Sequence, residues 1–251
     1  AVLNTNDIFS VSQAQLKCLE NDMNKTNKDW KIVSMHKTPY TLGKDGKWPD
    51  AMYLQQALTA VCDKTGVDLI ISGHDHQYLR TKSLTGNEVK EGGATYVLCG
   101  TAGSKRYQVR PFAINNFTPM EFINTMVSQR DGKYFNGKDF DSQNDLYIGS
   151  CYNTITVNGG ELTFNSYVIT DESEENPEGT ITQIDSFTLS KEVGKNVPTF
   201  TGDNTTSKLS YGLNSIASVL NLLVYVFGTW LPKFIKAAPE IIKSYITNGT
   251  F

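Results

Sequence analysis

The sequence predicts an α/β fold: a mixed-sheet sandwich flanked by helices, followed by a C-terminal helical appendage. Three patterns carry that prediction. Up to His76, helical periodicity alternates with short apolar runs in the order helix, strand, helix, strand, which calls for parallel strands joined by crossover helices. Beyond Tyr78, strand-like runs are separated by glycine- and asparagine-containing turns, the texture of antiparallel pairing. From Leu209 to Pro232 the chain carries no charged residue, and its apolar residues recur at helical spacing.

Ser12-Gln-Ala-Gln15 reads as a capping box opening a helix to about Thr26, with Leu16 and Leu19 facing inward. Trp30 to Met35 is a short apolar run ending at His36, the pattern of a buried strand. Asp50 can cap a second helix that Gly66 ends. Val67 to Ser72 is a second buried strand, followed directly by Gly73-His74-Asp75-His76. Tyr78 to Ser83 and Ala94 to Cys99 read as strands. Residues 105–145 form an insertion in which Thr118-Pro119-Met120-Glu121 signals a helix start. Ile148 to Val157 and Glu161 to Ile169, joined by Asn158-Gly-Gly160, form a β-hairpin, and Ile181 to Leu189 adds a strand. The organisation expected is a domain over residues 1–192, a polar linker over 193–208 and a helical tail over 209–251.

Composition narrows the function. With 39% apolar and 20% charged residues the chain can bury a sizeable core. A net charge of −3 and dispersed cations exclude the basic surface that nucleic-acid backbones require. Cys18, Cys62, Cys99 and Cys151 form no C-x-x-C pair, so a zinc ribbon or thioredoxin-type motif is excluded, and buried free thiols are the plainer expectation. Disulfides stay open if the protein is exported. Ala1 to Ser10 has no signal-peptide pattern and no initiator Met, so a processed or truncated product is expected.

The chemistry gathers on histidine. The chain has three, and all three stand at the ends of predicted buried strands: His36 after one, His74 and His76 after the next. In an open α/β sheet the carboxyl ends of strands are where ligands bind. Neutral imidazole suits zinc, iron or manganese, and a His-x-His pair on a loop can address two adjacent metals. One histidine in such a place is more often a core or loop residue. Three of three point to a metal site.

Val33-Ser34-Met35-His36 matches the V-x-x-H block, and Gly73-His74-Asp75-His76 the G-H-x-H block, of the calcineurin-like metallophosphoesterases. The flanks, His36-Lys-Thr-Pro-Tyr40 and Gly73 to Arg80 among them, resemble the purple acid phosphatase-like branch. The resemblance covers residues 8–105 well and 148–191 loosely. It implies that His36 and His74 share one metal while His76 holds its neighbour, with Asp75, Tyr78 and Tyr40 as candidates to orient the imidazoles. It further implies two metal ions, iron paired with iron, zinc or manganese, and hydrolysis of a small phosphate-ester substrate. The family's D-x-G or D-x-H, G-D-x-x-D/Y and G-N-H blocks precede V-x-x-H and do not occur here. The bridging carboxylate, the asparagine ligand and the catalytic histidine are therefore expected upstream of Ala1, in a missing N-terminal half. The resemblance also implies an exported parent, extracellular or in the cell envelope. The alternative is a degenerate phosphoesterase fold serving as a non-catalytic binding or surface module. The tail is expected to pack as a helical appendage, a membrane anchor being the rival reading.

Overall fold

A computed structural model of the chain describes residues 1–6, 11–141, 144–171, 173–194, 223 and 226–248. Its centre is an eight-stranded mixed sheet. β1 (Val2–Leu3), β2 (Ile32–Met35), β3 (Leu69–Ser72) and β7 (Thr95–Cys99) run parallel. β4 (Tyr78–Thr81), β8 (Ile123–Val127), β9 (Tyr134–Phe135) and β10 (Phe140–Asp141) continue it antiparallel, in the order β1-β2-β3-β7-β4-β8-β9-β10. Between β4 and β7 the chain makes a separate small hairpin, β5 (Leu84–Thr85) and β6 (Glu88–Val89).

The two crossover helices form where expected, with different ends. α1 (Gln13–Lys25) is capped by Ser12, whose hydroxyl accepts from the Gln15 N–H (3.2 Å). Gln15 does not fold back to close the capping box. Its amide instead makes two hydrogen bonds with the Asn4 backbone (2.9 and 3.0 Å), tying the helix to the end of β1. In α2 (Pro49–Thr65) the cap position falls on Trp48, and Pro49 takes the first turn, where its missing N–H costs nothing. Asp50 is thus not the cap; its carboxylate pairs with Lys37 (2.5 Å). Gly66 ends α2 in the left-handed conformation (φ 65°).

Alternation along the strands sorts the core into two layers. Ile70, Leu79, Tyr96 and Leu98 face one way and pack with Leu16, Leu19, Leu54 and Leu58 of the helices. Leu69, Tyr78, Val97 and Val127 face the other way and meet Cys151, Leu162, Phe164, Val168 and Ile184 of a second sheet. That sheet, β11 (Ser150–Asn158), β12 (Glu161–Thr170) and β13 (Thr180–Ser190), is wholly antiparallel rather than mixed. The sandwich therefore has described helices on one face and a three-stranded sheet on the other. A bidentate ion pair pins the layers: the Arg80 guanidinium donates to Asp185 (2.6 and 2.9 Å) and lies 4.6 Å from the centre of the Phe187 ring.

The helix start expected at Thr118 is corrected. Only a single 3-10 turn forms (Met120–Phe122), and the chain enters β8 at once. Ile123, Thr125 and Val127 are β-branched at alternate positions, and burial beside β4 outweighs the local capping signal. Thr118 is committed elsewhere: its hydroxyl donates to the Thr41 carbonyl (2.8 Å) and accepts from the Thr41 N–H (3.2 Å).

Most of the apolar run from Leu209 to Pro232 lies outside the described residues. The last described helix is α3 (Leu231–Asn248), which follows directly on a π-helical turn (Val226–Trp230), with Pro232 in its first turn. Ala237 and Ile241 are buried against the domain, the Trp230 indole donates to the Lys47 carbonyl (2.7 Å), and Asn116 donates to Glu240 (3.2 Å). Among the described residues no helix is long and apolar enough to cross a membrane.

Candidate metal centre

β2 and β3 are parallel neighbours in register (Val33 beside Ile70, Ser34 beside Ile71), so the chain leaves both at the same edge. The Gly73 N–H donates to the His36 carbonyl (2.9 Å), carrying the ladder one step past β3 and fixing the two loops together. The sharp turn is made by His74, which sits in the left-handed region (φ 79°). A non-glycine residue there costs roughly 1–3 kcal/mol and persists only where its surroundings hold it. The result is that His74 Nδ1 stands 3.1 Å from His36 Nε2, with the rings edge to face.

That separation is informative. Two imidazole nitrogens each about 2.1 Å from one metal stand about 3.0–3.4 Å apart between octahedral and tetrahedral angles. The pair therefore fits two ligands of a shared ion. Burial lowers the His74 pKa, opposed by the attraction of Asp45 and reinforced by His36. A neutral ring with a free lone pair is the consequence. Among the described residues no group of three His, Cys, Asp or Glu side chains closes round one point, so the pair is a partial donor set.

His76 makes contacts of its own. Its Nδ1 bonds to the Lys105 carbonyl, and its ring stacks on Tyr107 at 4.7 Å and 12°. The Tyr107 N–H donates back to the His76 carbonyl (3.0 Å). With Nδ1 as the donor, Nε2 carries the unprotonated lone pair, and a backbone carbonyl fixes the orientation of the ring. Lys44 and Lys105 place their ammonium groups 4.9 and 5.5 Å from the Tyr107 ring centre.

The three residues expected to orient imidazoles do other work. Asp75 is fully buried, and its Oδ2 accepts from the Thr41 hydroxyl (2.6 Å) and the Asp45 N–H (3.2 Å). It holds the loop 41–45, not a histidine ring. Desolvation, then the nearby Asp45 charge, raises its pKa to about 7. Tyr78 donates to Asp185 (2.7 Å) in the contact between the sheets. Tyr40 is buried with its hydroxyl on Asn87 and its ring edge-on to Tyr96. Each side chain points to a partner that adjacency in sequence does not reveal.

Asp45 went unnoticed in the sequence. The 3-10 turn Lys44–Lys47 brings its Oδ2 to 3.7 Å from His74 Nε2, with the carboxylate side chain only 13% exposed. The turn can approach because Gly43 has no side chain: a Cβ there would lie 2.3 Å from Asp75 Oδ2. An aspartate between Gly43 and Gly46, downstream of a histidine, was the available signal. Tyr107 had none.

The layered α/β architecture and the paired histidines at adjacent strand ends define a fold of the metallophosphoesterase type. Residues 2–78 match the sequence model of the calcineurin-like phosphoesterases. No curated protein matches it. Among solved structures, purple acid phosphatase PPD1 from yellow lupin (Lupinus luteus) seeds aligns at 17% identity and TM-score 0.50, over 82% of this chain and 34% of that one. That likeness shows a shared fold. Weaker likenesses are to PhoD (10% identity, TM-score 0.47, 86% of this chain, 41% of that) and to GAP50, the anchor in the inner membrane complex of Plasmodium (16%, 0.41, 88% and 55%). The chain thus spans about a third of the lupin enzyme's length.

Proposed function

We propose that this chain is the histidine-bearing part of a dinuclear metal-dependent phosphoesterase of the purple acid phosphatase-like kind, acting on small phosphate esters. The observation that carries the reading is the 3.1 Å approach of His36 Nε2 and His74 Nδ1 at the ends of two neighbouring parallel strands. His36 and His74 would hold one metal and His76 the second; iron with iron, zinc or manganese suits the donors. Bound metals would supply Lewis-acid polarisation of the phosphoryl oxygens and a water acidic enough to attack near neutral pH.

The chain's own residues do the positioning. Backbone bonds at Gly73 and Lys105 aim the rings, and burial keeps His74 neutral. Lys44 and Lys105 set positive charge beside His76, where an anionic ester would approach. Two or three neutral donors leave a divalent ion without carboxylate charge, so the remaining ligands belong to the N-terminal half of the protein. In keeping with that reading the parent is exported, the tail is a packed appendage and nucleic acid is no partner.

A preparation containing only residues 1–251 should show negligible phosphatase activity, and the longer parent should turn over with added divalent metal. Metal-dependent turnover by the chain alone, abolished by His74→Ala, would overturn the division of labour. A parent that binds no metal would favour a non-catalytic binding module instead.

A further inference from the structure

We infer that Asp45 is a positioning residue for the candidate metal centre: its carboxylate selects the His74 tautomer that presents Nδ1 as a bare lone pair beside His36. The inference rests on the metal-site reading proposed for this chain, and it concerns a residue outside both histidine blocks.

An imidazole that ligates through one nitrogen needs its proton on the other, and an acceptor there fixes both tautomer and ring orientation. His74 directs Nδ1 at His36 (3.1 Å) and Nε2 at Asp45 Oδ2 (3.7 Å), so the two ring nitrogens face different partners. At 3.7 Å the carboxylate attracts the N–H without a formed hydrogen bond, and such contacts commonly tighten when a site is loaded.

The surroundings show a carboxylate that is placed rather than loose. The Asp45 N–H donates to Asp75 Oδ2, the Thr41 hydroxyl donates to the same oxygen, and Thr118 clamps the Thr41 backbone from β8's side. Gly43 lets the loop lie against Asp75, and Gly46 lies against Thr41, where a Cβ would come 3.1 Å from the carbonyl oxygen. The buried acid between the two histidines therefore serves the site at one remove, by holding the loop that carries Asp45. Lys44, 3.9 Å from Asp45 Oδ1, faces the other carboxylate oxygen and leaves Oδ2 toward His74.

These contacts set a chain of donors in the metal-free protein. His74 keeps its proton on Nε2, toward Asp45, so Nδ1 accepts and His36 must donate from its own Nε2. A metal held by both rings would require the His36 proton on Nδ1, whereas His74 already presents the tautomer such a metal would need.

The test is nitrogen-15 spectroscopy of the ring resonances in residues 1–251, simplified by a total of three histidines. In metal-free wild-type protein His74 should be the Nε2–H tautomer. Asp45→Asn keeps the side-chain volume and Asp45→Ala removes it; both should shift His74 toward Nδ1–H and weaken zinc binding about 10–100-fold. Both should keep the His76 resonances and the thermal midpoint near wild type, since the Asp45 backbone still bonds Asp75. An unchanged His74 tautomer in both variants would overturn the inference, whatever zinc does. His36→Ala separates the two ideas: loss of zinc there belongs to the metal-site reading, and wild-type protein that binds no zinc sinks that reading while the tautomer still decides the role of Asp45.

Discussion

Gly43 and Asp75 show how much of the site depends on residues that touch no candidate ligand. A methyl group at Gly43 would meet Asp75 Oδ2 at 2.3 Å and the Gln77 amide at 2.4 Å, and both side chains are fully buried, which limits how far their ends can shift. Gly43→Ala should cost about 1–3 kcal/mol in chemical unfolding and withdraw Asp45 from His74. Unchanged stability would show that the loop is not held as described. Asp75 gives a pH signature. Its pKa is raised from 3.8 to about 7 on folding, so the native state binds more protons between those values. Its contribution to stability must therefore fall as pH rises from about 4 to about 7, and level off above. Asp75→Asn, which keeps an acceptor for Thr41 and Asp45, should flatten that slope in metal-free protein; thermal midpoints measured across the window check it. A slope that survives the substitution would place its origin elsewhere.

At the scale of elements, the order of helices and strands from α1 to β4 was legible because each has a local cause: Ser12 caps α1, Gly66 ends α2, and β2 and β3 are short apolar runs; β1, two residues long, carried no such signal. What escaped was decided across the sheet. Thr118 to Glu121 carries a sound helix signal, yet β4 offers Ile123–Val127 an open edge, and pairing there buries Ile123, Met126 and Val127. The contact between sheets was equally unreadable, since Arg80 and Asp185 meet only in three dimensions. Their side chains are 13% and 7% exposed, so removing one partner strands a buried charge. Asp185→Ala should cost about 3–5 kcal/mol, and Arg80→Met with Asp185→Leu much less. A double-mutant cycle in urea measures this; additive single effects would deny the pair its role as a pin. The same physics explains the histidines: their strand ends could be read, but Asp45 arrives through a turn whose approach depends on Asp75 and Gly43.

For the whole molecule, the sandwich supplies rigid strand ends, and α3 rests on the domain near the Lys44–Lys47 turn through Trp230. Ala237 is fully buried in that contact. Ala237→Glu should release α3 and speed tryptic cleavage at Lys233, Lys236 and Lys243, without moving the ring resonances of His36 and His74. An unchanged cleavage rate would mean that the helix is held by other contacts. The candidate metal centre stands on one pairing, His36 and His74 as two ligands of the same ion. Zinc titrated into residues 1–251, followed through the ring nitrogens of all three histidines, tests it most directly. His36 Nε2 and His74 Nδ1 should respond together, with the same midpoint, and His36→Ala should abolish the response at His74. Separate midpoints, or a His74 response indifferent to the loss of His36, would contradict it.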